Sequence, residues 1–271
     1  MTADIILALL IFTAIAWAAY LYSKKRKRQT LLASQLSPQH IAILRNHVPL
    51  YNRLPQQLQK KLQGLILCFL DEKAFVGCDG FVISDEVRLI IAANACVLIL
   101  NREKNYFPGF QTILVYPDTY MAADIHYDGL VETHHQSARA GESWHRGPVV
   151  LSWADIMRGA SGEEDGHNVV LHEFAHKLDE ENADMDGLPV LRNRDSYPQW
   201  AEVLSKEYAA FKKRVEQGEN QVIDEYGADS AAEFFAVCTE SFFEKPKQMK
   251  EKLPQLYRQF QTFYDLDPAA W

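Results

Sequence analysis

The chain has 271 residues, enough for one or two domains with a sizeable core. Its composition is that of a globular protein, with 48% apolar and 24% charged residues. A formal net charge of -8 argues against a broad nucleic-acid surface, because phosphates would be repelled. Four cysteines (Cys68, Cys78, Cys96 and Cys238) show no CxxC spacing, and three lie in apolar runs. They read as buried thiols of a reducing compartment, not as a disulfide framework or a zinc ribbon.

Ile5 to Tyr22 carries neither charge nor proline. As a helix these residues rise about 27 Å, close to the hydrocarbon thickness of a bilayer. Lys24, Lys25, Arg26, Lys27 and Arg28 follow directly. A signal peptide carries its positive charge before the apolar stretch; here it comes after. The positive-inside rule then places everything that follows in the cytoplasm. Residues 1–28 read as a transmembrane anchor with a basic flank, 29–37 as a short polar linker, and 38–271 as one catalytic domain.

From Pro55 to Leu70 apolar residues recur at helical spacing. Phe75 to Cys78 reads as a short strand before an Asp79-Gly80 turn. Ser84 reads as the N-cap of a mostly apolar helix running through Ile99, with Asp85 and Glu86 in its first turn. Thr112 to Tyr116 is strand-like, and residues 123–153 hold further strand candidates. Helical patterns then cover about 166–179, 198–217, 230–244 and 247–264. Strands first and helices later give an α+β expectation.

Residues 169–179 read VVLHEFAHKLD and contain H-E-x-x-H. On a helix His172 and His176 lie about 40° apart, so both imidazoles reach one ion. Glu173 projects beside them, where a carboxylate meets an activated water. The motif alone is weak, but Leu171, Phe174, Ala175 and Leu178 form an apolar stripe that buries one side and turns the histidines to a cleft. Asp179, seven residues after His172, is a candidate acceptor for the free N–H of a ligand histidine.

A catalytic zinc site needs a third protein ligand. Asp179 and Asn182 stand where a metzincin would have glycine and histidine, and no histidine follows His176. The ligand is therefore expected to be a carboxylate. Glu233 is the best candidate, because it stands among Phe234, Phe235, Cys238 and Phe242 and needs a partner there. Ser230-x-x-Glu233 also fits a capping box. Glu240 shares its face and is the fallback ligand or a supporting group; Asp224 and Glu225 rank lower. Tyr226 precedes Glu233 by seven residues; a phenol there would suit an oxyanion, although most tyrosines merely pack. His126, His134, His135 and His167 carry no assignment, and His145 is a candidate substrate contact.

Four stretches, Ser84–Cys96, Gly141–Pro148, Asp165–Asp179 and Ala232–Val237, together resemble the Mlc titration factor A metallopeptidases over roughly residues 35–265. That family is similar in its catalytic core to the anthrax lethal factor protease domain, a gluzincin. The resemblance implies a zincin-like domain with His172, His176 and Glu233 as zinc ligands, Glu173 as base and Tyr226 beside the metal. It also implies aminopeptidase-type activity on peptides and binding of the repressor Mlc. The apolar N-terminal helix departs from the usual soluble pattern. The rival expectations are a membrane-tethered binding protein that sequesters a cytoplasmic partner, and a zinc hydrolase of non-peptide substrates.

Overall fold

The computed structural model describes residues 2–102, 107–118, 120–128, 131–139, 141–143, 147–159, 166–219 and 222–271. Four helices precede the first strand: α1 (Thr2–Ala33), α2 (Pro38–His47), α3 (Pro49–Arg53) and α4 (Gln56–Glu72). Then come β1 (Ala74–Gly77), α5 (Asp85–Val97), β2 (Thr112–Tyr116), β3 (Tyr120–Asp128), β4 (Val131–Arg139), β5 (Gly141–Ser143) and β6 (Val149–Ser152). The remainder is helical: α6 (Trp153–Gly159), α7 (Val169–Asp179), α8 (Tyr197–Glu216), α9 (Ala231–Glu244), α10 (Pro246–Lys252) and α11 (Pro254–Tyr264). The architecture is mostly helical α+β, with helices on both sides of the strands in sequence, not strands first as the sequence suggested.

The main sheet has the order β1-β2-β6-β5. Its first three strands are parallel, and β5 runs antiparallel along β6 at the edge. β3 and β4 form a separate antiparallel pair with Tyr120 opposite Arg139. Ile113 and Val115 of β2 pair with Val149 and Leu151 of β6 and bury one face of the sheet, while the opposite face of β2 is only partly covered.

Two local expectations are revised by backbone chemistry. The helical pattern at 247–264 breaks at Leu253 into α10 and α11, because Pro254 cannot continue a helix and instead starts one. The stretch taken for a linker is helical as far as Ala33, so α1 is one unbroken 32-residue helix. The helices expected at 55–70, 84–99, 166–179, 198–217 and 230–244 are present as α4, α5, α7, α8 and α9, whereas α2, α3 and α6 were not anticipated. Ser84 Oγ caps α5 by accepting from Val87 N (3.3 Å), and Asp79 and Gly80 both adopt positive φ in the turn after β1. No disulfide links the four cysteines, and Cys68, Cys96 and Cys238 are buried.

Two helices carry the centre. α7 packs against α5, β5, β6 and α9. Phe174 on its inner side meets the rings of Phe69, Phe107 and Phe110. α9 is buried nearly all round: Phe234 meets Tyr208 and Phe211, Phe235 meets Trp200, and Phe242 meets Tyr257 and Tyr264. Packing of this density holds side chains in fixed rotamers, so whatever α7 and α9 present to each other is held in place.

Candidate metal centre

Asn168 starts α7 by accepting from Leu171 N through Oδ1 (3.1 Å). One turn later His172 points at α9, and His176 follows on the same face. Their Nε2 atoms are 3.2 Å apart. Glu233 Oε2 lies 2.9 Å from His172 Nε2 and 3.4 Å from His176 Nε2. Donors at zinc distance in a tetrahedral shell are separated by about 3.3 Å. The three separations therefore match one face of such a shell, and two imidazoles with one carboxylate are a donor set that suits zinc. These three residues form the one His/Cys/Asp/Glu group with metal-ligand spacing among the described residues.

Both halves of the Ser230–Glu233 alternative turn out to be used separately. Ser230 Oγ caps α9 by accepting from Glu233 N (3.1 Å), while the Glu233 carboxylate turns to the histidines. Asp224 and Glu225 are not brought to the site. Asp224 caps the 3-10 turn Glu225–Ala228 through Tyr226 N (2.8 Å), and also faces the exposed His167 (3.3 Å).

The residue that holds His172 is Glu240, not Asp179. Glu240 Oε1 is 2.8 Å from His172 Nδ1, and its Oε2 accepts from Asn168 N (2.5 Å). Glu240 is only 4% exposed. Asp179 instead accepts from Gly187 N through Oδ2 (2.8 Å), which ties the following loop to α7. Asp179 is fully buried, and burial pushes its carboxyl up to about 6. Asp179 Oδ1 and His176 Nδ1 are both buried without a hydrogen-bond partner among the described residues.

Sequence reasoning missed Asn168. Its Nδ2 donates to Asn94 Oδ1 (3.1 Å) on α5 and to Glu244 Oε1 (3.0 Å) on α9. One amide thus ties three helices directly behind the first histidine. The sequence signal was present, since asparagine just before an apolar-periodic run is an N-cap pattern.

The electrostatics are those of a tightly paired histidine–carboxylate cluster. Burial works against a charged His172, yet the hydrogen bonds it donates to Glu233 and Glu240 outweigh it and hold the imidazole well above its ordinary range. Burial likewise opposes a charged Glu233, and hydrogen bonds from His172 and His176 hold its carboxyl far below the usual carboxylate range. Glu173 is buried at 4% exposure, one residue after the first histidine. Tyr226 is 51% exposed, with its ring centroid 5.9 Å from that of His172. Of the three candidate ligands only His176 is buried, and His172 and Glu233 are partly exposed. Lys177, also buried, donates to Gly147 O (3.3 Å) and Glu180 Oε1 (3.0 Å), fastening α7 to the chain just after β5. His145 lies outside the described residues, and so do the side chains of His126, His134 and His135.

A helix bearing H-E-x-x-H, to which a later helix returns a carboxylate, is the plan of a metallopeptidase. The chain belongs to the glucose-regulated metallo-peptidases M90, whose pattern it matches over residues 22–265. An uncharacterised protein of Synechocystis sp. is 41% identical over 269 residues, covering 98% of each chain. Mlc titration factor A of Escherichia coli and that of Shigella flexneri are each 35% identical over 225 residues, covering 82% of this chain and 84% of theirs. The cyanobacterial match is too long to leave α1 outside it.

Proposed function

We propose that this chain is a zinc-dependent peptidase of aminopeptidase type, held by α1 at the cytoplasmic membrane with its catalytic domain in the cytoplasm. The observation that carries the zinc reading is the convergence of His172 Nε2, His176 Nε2 and Glu233 Oε2 within one coordination face. Zinc bound by these three side chains would acidify a water molecule and polarise the carbonyl of a peptide.

The chain's own residues supply the rest of the reaction. Glu240 and Asn168 N fix the His172 ring, so the ligand geometry is set before substrate arrives. Glu173 takes the proton from the attacking water and later gives it to the leaving amine. Its burial limits competing contact with solvent. The Tyr226 hydroxyl donates to the oxyanion of the tetrahedral intermediate. β5 is an edge strand beside α7, and an extended peptide can add to such an edge through main-chain hydrogen bonds. The fold reading is that of a zincin-like domain. Its support is the edge strand running antiparallel beside the helix that bears both histidines.

A Glu173→Gln variant should keep its metal and lose turnover. Cleavage of peptides at the wild-type rate would sink this assignment. A second reading rests on the name of the enteric relatives: the chain titrates a transcriptional repressor of the Mlc kind, as a membrane-held binding protein. Capture of such a repressor by Glu173→Gln, together with no peptide product from the wild type, would favour that reading over the peptidase.

A further inference from the structure

An apolar anchor joined to its domain by a leash would leave the joining residues unpacked, and the packing of α1 is of a different kind. The helix does not end at the basic cluster but continues to Ala33. Its last turns lie antiparallel on α4. A Cβ on Gly64 would collide with the Leu32 carbonyl, so glycine permits the two backbones to touch. One turn further along α4, Cys68 Sγ donates to Arg28 O (3.7 Å). Beyond that, Lys27 pairs with Asp71, and Arg28 Nε lies 3.7 Å from Glu72 Oε1. Leu32 packs against the main core. In the apolar part of α1, by contrast, every described residue is exposed.

We propose that α1 is a rigid mount: one unbroken helix that crosses the bilayer and is packed into the catalytic domain, seating the end of α4 on the lipid headgroups. This rests on the anchor reading above. Tyr22 to Arg28 rises about 9 Å, slightly more than the roughly 5–8 Å of one headgroup layer, so Asp71 and Glu72 stand just outside it. The five basic residues divide accordingly. Lys27 and Arg28 face protein carboxylates, while Lys24, Lys25 and Arg26 are exposed one turn nearer the membrane, where anionic phosphates attract them. The partner that fits this surface is an anionic phospholipid bilayer. The consequence is a catalytic domain with a fixed height and tilt, which restricts substrates to chains presented at the membrane surface.

Hydrogen exchange on the full chain in phosphatidylcholine–phosphatidylglycerol nanodiscs tests this, beside flotation with vesicles of the same lipids. A rigid mount requires flotation, with amides 24–33 exchanging more than about tenfold slower than unstructured chain. Gly64→Ala should remove that protection from 27–33 while leaving α7 and α9 as protected as before. Flotation with coil-like exchange over 24–33 would overturn the mount and leave the anchor standing. Failure to float would overturn both. Full protection of 27–33 in Gly64→Ala would show that the α1–α4 contact is not the joint.

Discussion

Glu240→Gln isolates the support behind the metal centre without changing the size of the side chain. Glu240 offers two oxygens to two donors, His172 Nδ1 at 2.8 Å and Asn168 N at 2.5 Å. Glutamine has one oxygen. Whichever way its amide is turned, an NH2 group faces one of those N–H donors in a site with 4% exposure, where no solvent relieves the clash. Losing one charge-assisted hydrogen bond costs about 1.5–3 kcal/mol. Supporting residues behind metal-bound histidines are worth about ten- to hundredfold in affinity, which is the same range. Zinc affinity measured by competition with a chromophoric chelator should therefore weaken by about ten- to hundredfold. Secondary structure should be unchanged, because α9 is held by its phenylalanines. An affinity equal to that of the wild type would refute the claim that Glu240 orients the first ligand.

Two further outcomes follow from the same geometry. Tyr226→Phe should lower kcat by about 10²–10³ with zinc content and KM little changed, since the hydroxyl acts on charge that appears only in the transition state; steady-state kinetics with metal analysis checks this. Gly187→Ala should destabilise by about 1–3 kcal/mol and lower Tm by several degrees. Gly187 sits at φ +79°, and a Cβ there would collide with the Ala231 carbonyl, displacing the amide that Asp179 accepts from. Calorimetry finding an unchanged Tm would contradict it.

The metal centre was legible in the sequence because its logic is local. Two histidines four apart on an amphipathic helix must share a face, and a carboxylate set among phenylalanines needs a partner. Glu233 and Glu240 share a face for the same reason. Their division of labour was not legible, since it depends on how α9 slides along α7. The support of His172 falls to Glu240 and not to Asp179, one of whose oxygens accepts from the loop carrying Gly187 while the other stays buried without a hydrogen bond. Pro254 divides the last helical stretch, and in sequence a proline that opens a new helix reads like one inside an old one. The continuation of α1 through 29–33 was hidden because Gln29 and Thr30 look like linker. The continuation is tied down at Leu32, whose backbone lies on Gly64, a contact between positions far apart in the chain.

Metal content is the most direct measurement of all. The 271-residue chain, stripped and reloaded, should bind one zinc ion per chain by atomic spectroscopy after desalting, and Glu233→Ala should retain little. A wild-type chain that takes up no zinc, or a Glu233→Ala variant that holds it as tightly as the wild type, would contradict the centre built from His172, His176 and Glu233.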